Sequence, residues 1–300
     1  MLRLSIVVPH HDDDTFLENT LVSLLENRDA SQEIVVVHNG SYFDPYQLGK
    51  DEVVMVEAPK HYSISQQLNL GFSAATAPFI QVLFPGTQVS AGWANDALEL
   101  LDSEDIACVG TPCSITNSKR VIYGLDSSAL PRRKVSEQPV DVVPILNGSI
   151  FRKRILQLIG WLYEEMPREG AELEIQLLLQ AMELDSLCLA DPTLVAVASA
   201  AYGQERGYET GRQSGLIASA YGNVEGSGVS IESLAKQLGH LASGLMNPKT
   251  VAERLGWVMG SRDHSHDEAI RNRLVSAAAR LDQDAQQDSY VQSSSQRRAA

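Results

Sequence analysis

Positive charge is in short supply in this sequence. Its 300 residues carry 24 Lys and Arg against 38 Asp and Glu, a formal net charge of -14. Binding to a nucleic-acid backbone requires a basic face that displaces counterions, so nucleic acid is excluded as a partner. The acidic surplus serves solubility. Cysteine is nearly missing as well. Cys108, Cys113 and Cys188 form an odd set whose spacing fits no zinc motif, and buried reduced thiols are expected. No stretch of about 18 apolar residues occurs, so no membrane span is expected. The apolar run behind Met1 stops at Pro9, too short for the hydrophobic region of a signal peptide, and a cytoplasmic location is the expectation. Glycine is absent from "PHHDDD", which excludes a dinucleotide- or Walker-type phosphate loop after the first strand. A serine-elbow motif is missing too.

What is present is alternation. "LSIVVP" from Leu4 to Pro9 is a β-branched run of the kind that forms a buried parallel strand. Asp14 can cap a following helix whose apolar stripe is Phe16, Leu17, Thr20, Leu21, Leu24 and Leu25. A second strand, Ile34 to Val37, ends in the turn residues Asn39, Gly40 and Ser41. The pattern continues with a strand from Val53 to Ala58 and a helix capped near Ser63 that runs to about Ala75. Next come a strand from Phe79 to Leu83, a helix from about Ala94 to Leu101 and a strand from Ala107 to Gly110. Buried strands alternating with helices predict an α/β fold: a mainly parallel, Rossmann-like sheet with helices on both faces. Ligands bind such sheets beyond the carboxyl ends of the strands. That rim gathers His10, His11 and Asp12, then His38 to Gly40, then Phe84 to Thr87.

Residues 111–143 read as an irregular flap with a basic cluster at Arg132, Arg133 and Lys134. A strand, a Gly-Ser turn and a helix follow, and Glu172 to Met182 reads as a further helix. From Gly203 the composition shifts to Gly, Ala, Ser and Gln. Three helices are expected beyond it, marked by Ile231, Leu234, Leu238, Leu241 and Leu245, by Asn247-Pro248 as cap and first position, and by Ile270, Leu274, Ala278 and Leu281. The expected organisation is a sheet domain over 1–202, a helical region over 203–282 that packs on that domain or on a second subunit, and a polar, disordered tail over 283–300. "PHHDDD" and "RDHSHDE" mix His with acids, but both sit at helix starts where the acids suit capping and the dipole.

Four blocks resemble glycosyltransferase family 2, the nucleotide-sugar enzymes of the GT-A fold. They are "LSIVVPHHDDDTFLENTLVSLL", "EIVVVHNGS", "SISQQLNLGFSAATAPFIQVL" and "NGSIFRKRILQLIGWLYEE", in family order with family gaps over about residues 3 to 200. The resemblance implies a nucleotide-sugar partner, UDP-, GDP- or dTDP-linked, and an acceptor that the sequence leaves unnamed. It implies binding by Pro9, His10, Asp12, Asn39, Gly40, Ser41, Asn69, Phe84, Gly86, Asn147 and Gly148. Read as ordinary structure, Asn39 to Ser41 is a strand-ending turn.

One departure stands out. The family's Asp-x-Asp metal motif falls on Phe84, Pro85 and Gly86, which offer no side-chain oxygen to a divalent cation. No cofactor is therefore expected. Either cationic side chains, from Arg132 to Lys134 or from Arg152 to Arg154, neutralise the diphosphate, or transfer is slow or lost. The family's catalytic base falls on Glu172, which can equally be a first-turn carboxylate favoured by the helix dipole. Two readings follow: a metal-independent glycosyltransferase, or a catalytically inactive binding or scaffold protein in polysaccharide assembly.

Overall fold

A computed structural model describes residues 1–10, 14–50, 52–203, 207–224 and 248–299. The first half of the chain builds β1 (Leu4–His10), α1 (Asp14–Asn27), β2 (Gln32–His38), β3 (Val54–Glu57), α2 (Ile64–Ala74), β4 (Phe79–Val82), β5 (Thr87–Val89), α3 (Asn95–Ser103) and β6 (Cys108–Gly110). After the short strands β7 (Cys113–Ile115), β8 (Val121–Ile122), β9 (Gly124–Asp126), β10 (Val135–Ser136) and β11 (Val142–Val143) come β12 (Ile150–Arg152), α4 (Lys153–Leu158) and α5 (Arg168–Ala181). Then follow β13 (Ser186–Cys188), β14 (Leu194–Ala196), α6 (Ala198–Tyr202), α7 (Tyr208–Val224), α8 (Pro248–Gly260) and α9 (Asp267–Ala299).

The main sheet has seven strands in the order β13-β6-β12-β4-β1-β2-β3, parallel except for β12. β1 is buried at every residue, as a central parallel strand covered on both faces must be. From β1 the chain winds outward through β2 and β3, then returns to lay β4 on the other side of β1. That reversal is the switch point at which such sheets open a ligand crevice. Because β12 is antiparallel, its first residues arrive at the same rim that β1, β2 and β4 leave. Asn147 and Gly148 are brought to Phe84 in this way.

Ser63 caps α2 as expected, in a capping box with Gln66, and Pro248 opens α8. The flap is more ordered than its sequence suggests. β9, β10 and β11 form one small sheet, and β5, β14, β7 and β8 another. α5 starts at Arg168, one turn before the expected Glu172, because Pro167 fits the position ahead of a helix and supplies its fixed φ of -64°. Cys108 and Cys113 are buried free thiols, and Cys188 is a partly exposed one. The helix expected around Ile231 to Leu245 and residue Asp12 lie outside the described residues.

α7 was not foreseen. Gly211 and Gly215 on α7 meet Gly256 and Gly260 on α8, and a Cβ built on Gly211 or Gly256 would lie 1.8 or 1.9 Å from a carbonyl oxygen of the facing helix. α9 packs on α7 and α4. Arg273 holds buried Glu174 through two bonds of 2.9 and 3.2 Å, and Arg154 pairs with Asp284. α9 also continues to Ala299, where the polar composition after Gln283 predicts disorder. Ala, Gln and Arg are helix formers even where no apolar stripe exists.

Candidate functional site

β4 ends at Val82, and Leu83 still donates to the Val7 carbonyl at 3.0 Å. The chain then turns through Phe84, Pro85 and Gly86 into β5. Asn147 clamps this turn: its Oδ1 accepts from the Phe84 amide at 2.8 Å and the Thr87 hydroxyl at 3.1 Å. Gly86 has φ +91°, and its amide donates to both the Phe16 carbonyl and Thr20 Oγ1, at 3.1 and 2.9 Å. A Cβ there would sit 2.6 Å from Val197 Cγ2, so only glycine lets the segment leading into α6 close over the turn. Gly148, at φ +85°, is equally confined, by Leu194 and the Thr111 carbonyl.

Arg168 covers Phe84. Its guanidinium carbon stands 3.7 Å from the ring centroid, a cation–π contact worth about 1–2 kcal/mol at a partly desolvated position. Its two terminal nitrogens donate to the Ser199 and Ala200 carbonyls at 2.9 and 2.7 Å. Its Nε is buried with no hydrogen-bond partner among the described residues. Burial pulls the guanidinium down to about 10, with Arg133 pushing the same way against Glu172 and Glu169.

Glu172 lies behind this layer and is fully buried. Its Oε2 accepts from Arg133 Nε at 2.7 Å and from the terminal nitrogen at 2.6 Å, while Oε1 accepts from the Leu146 amide at 2.8 Å. A general base must come within about 3 Å of the proton it takes. Both oxygens are bonded, and Glu172 is the direct counter-ion of Arg133. Arg133 in turn donates to the Tyr202 carbonyl at 2.6 Å.

Beside the turn, His10 is buried, pairs with Asp14 at 2.8 Å and meets the Tyr42 ring edge-on at 5.5 Å. His38 adjoins His10 in register and contacts the same ring. Asn39 Oδ1 accepts from the Ser41 amide and hydroxyl at 3.2 and 2.5 Å, a strand-ending side-chain turn. Burial, with Asp44, Glu18 and Asp14 nearby, pushes the Tyr42 phenol up to about 12. The Tyr42 hydroxyl and Asn147 Nδ2 are buried with no partner among the described residues.

The structure thus brings Pro9, His10, Asn39, Gly40, Ser41, Phe84, Gly86, Asn147 and Gly148 to one rim. Asn69 is elsewhere: it trades bonds of 2.9 Å with both the amide and carbonyl of Leu162, tying α2 to the loop after α4. Several of the expected cationic side chains are committed elsewhere too. Arg152 caps α3 through the Leu101 and Glu104 carbonyls, Lys153 binds the Ala75 carbonyl and Lys134 pairs with Asp126. Arg168 and Tyr42 were missed. An arginine opening a helix and a tyrosine in a loop carry no local mark of such contacts.

The residues do not fit a divalent ion at the turn. Phe84 lies under Arg168, Gly86 under Val197 and Ala200, and among the described residues no three His, Cys, Asp or Glu side chains converge to hold a metal.

Residues 5–160, just over half of the chain, match the family described as Glycosyl transferase family 2. The chain belongs to that family. No curated protein is matched. Among solved structures, residues 1–349 of S. aureus TarS superpose with a TM-score of 0.56 at 14% identity, covering 93% of this chain and 88% of that one. The same fragment in complex with UDP-GlcNAc gives 0.57 at 14% identity with the same coverage. A longer S. aureus TarS chain gives 0.57 at 15%, with 93% of this chain and 53% of that one covered. Identity this low establishes the fold: a GT-A-like, mostly parallel sheet with helices at its C-terminal end. Among the described residues no helix is long and apolar enough to cross a membrane.

Proposed function

We propose that this family 2 protein binds a nucleotide sugar at the rim formed by the ends of β1, β2 and β4 and transfers the sugar without a metal held by the Phe84–Gly86 turn. The observation that carries this reading is that three buried groups on or against the rim segments, the Tyr42 hydroxyl, Asn147 Nδ2 and Arg168 Nε, have no hydrogen-bond partner among the described residues. Buried polar atoms in native proteins are nearly always satisfied, and three orphans at a switch point favour a polar ligand that completes them. The complex of S. aureus TarS with UDP-GlcNAc supports a UDP-sugar as the first candidate.

In this reading Asn39 and the backbone after Pro9 meet the base, and Asn147 fixes the floor under the diphosphate. Glu172 is a positioning residue that anchors Arg133 and, through the Tyr202 carbonyl, the segment closing the turn. A calorimetric screen of UDP-, GDP- and dTDP-sugars in EDTA tests the proposal. Binding of at least one donor, with its slow hydrolysis or transfer surviving EDTA, is expected. Absence of binding at millimolar donor overturns it. Binding without any turnover favours the second reading, an inactive binding module, which the loss of the acidic motif also supports.

A further inference from the structure

The turn that lacks carboxylates is not bare, because a guanidinium lies on it. We infer that Arg168 is the residue that neutralises the ligand's diphosphate at this rim, in place of a divalent ion. This inference rests on the nucleotide-sugar reading above and adds a residue that the sequence comparison did not mark.

Arg168 is the first residue of α5, where the helix dipole opposes a cation. Pro167 gives the first amides of that helix no side-chain cap. A cationic side chain thus springs from an uncapped helix start, an arrangement that costs energy alone and gains from an anion. The guanidinium lies over the Phe84 ring, on the turn where the family's acidic motif falls. Its Nε is left as a buried donor without a partner, although the residue keeps part of its surface exposed. Glu172, bonded to Arg133, and neighbouring Glu169 both oppose the charge of Arg168, while Arg133 adds a like charge beside it. A poorly hydrated guanidinium with an unpaired N–H forms strong charge-assisted bonds to phosphate oxygens. The ordinary explanation is that Arg168 only caps α6 through the Ser199 and Ala200 carbonyls. That role predicts a loss of stability and nothing else.

The test is a calorimetric titration in EDTA of wild type, Arg168→Lys and Arg168→Met with inorganic pyrophosphate, with UDP, GDP and dTDP, and with the parent nucleosides. Wild type should bind pyrophosphate and at least one diphosphate. Arg168→Met should lose about tenfold or more of that affinity, Arg168→Lys less, and nucleoside affinity should be unchanged. Equal affinities in wild type and Arg168→Met, with only a lower Tm in the variant, overturn the inference. If Arg168→Met does not fold, wild type decides: equal diphosphate affinity in EDTA and in Mn²⁺ supports Arg168, and a gain above about tenfold with Mn²⁺ overturns it. Nucleoside binding without pyrophosphate binding defeats this inference alone. If no nucleoside, nucleotide or nucleotide sugar binds, the proposed function falls, and this assignment falls with it.

Discussion

The side chains of Glu172 and Arg133 are both without exposure and in direct contact. Removing one partner of such a pair strands a charge in a low-dielectric interior, which costs about 3–5 kcal/mol, whereas replacing both by apolar side chains is often close to neutral. Glu172→Gln should therefore lower unfolding free energy in urea by about that much. Glu172→Leu combined with Arg133→Met should recover most of the loss. If the single variant is as stable as wild type, the buried pair is not an anchor. Sequence reading could single out Glu172, because a carboxylate near a helix start is local information. It could not find its partner, which lies 39 residues away in a flap whose basic cluster looks solvated. Phe84 and Gly86 were legible for the opposite reason, since an absent acid is visible without any contact.

The α7 and α8 crossing depends on four glycines, and their composition hid it. Glycine costs a helix about 1 kcal/mol relative to alanine, so a Gly- and Ser-rich stretch reads as loop until a facing helix offsets that cost. Close backbone approach does so here. Gly211→Ala should push the helices apart and destabilise the protein by about 1–3 kcal/mol. Hydrogen-exchange protection should fall in α7 and α8 while β1, β2 and β4 keep theirs. Unchanged protection in α7 would contradict the packing. The strands β1, β2, β3, β4 and β6 were all foreseen, because continuous apolar runs bounded by Pro, Asn or Gly are strong local signals. The short flap strands were not, since two or three residues leave no period to read.

Across the molecule, acid sensitivity follows from carboxylates that the fold holds ionised. Burial pushes Glu33 up, but donors from Ser5, Thr76 and Ala77 outweigh it and hold the carboxyl below its ordinary 4.5. Hydrogen bonds from Ser31 and Ser265 lower Asp29 and Asp263 from 3.8, and Lys134 with Ser128 lowers Asp126. Because these folded values lie below the unfolded ones, the stability they add is complete above about pH 4.5 and is lost as pH falls through the folded values. Tm should be flat near neutrality and drop below that point, with a shallower drop in Glu33→Gln. The composition shift at Gly203 was legible. The Arg273–Glu174 and Arg154–Asp284 pairs that tie the helices to the sheet domain were not, because such contacts span distant parts of the chain. The most direct check of the rim is a crystal structure of the protein soaked with UDP and MnCl₂. The diphosphate should lie above Phe84 within hydrogen-bond distance of Arg168, with no metal beside it. A Mn²⁺ ion seated on carboxylates at that place, with Arg168 turned away, would contradict the account.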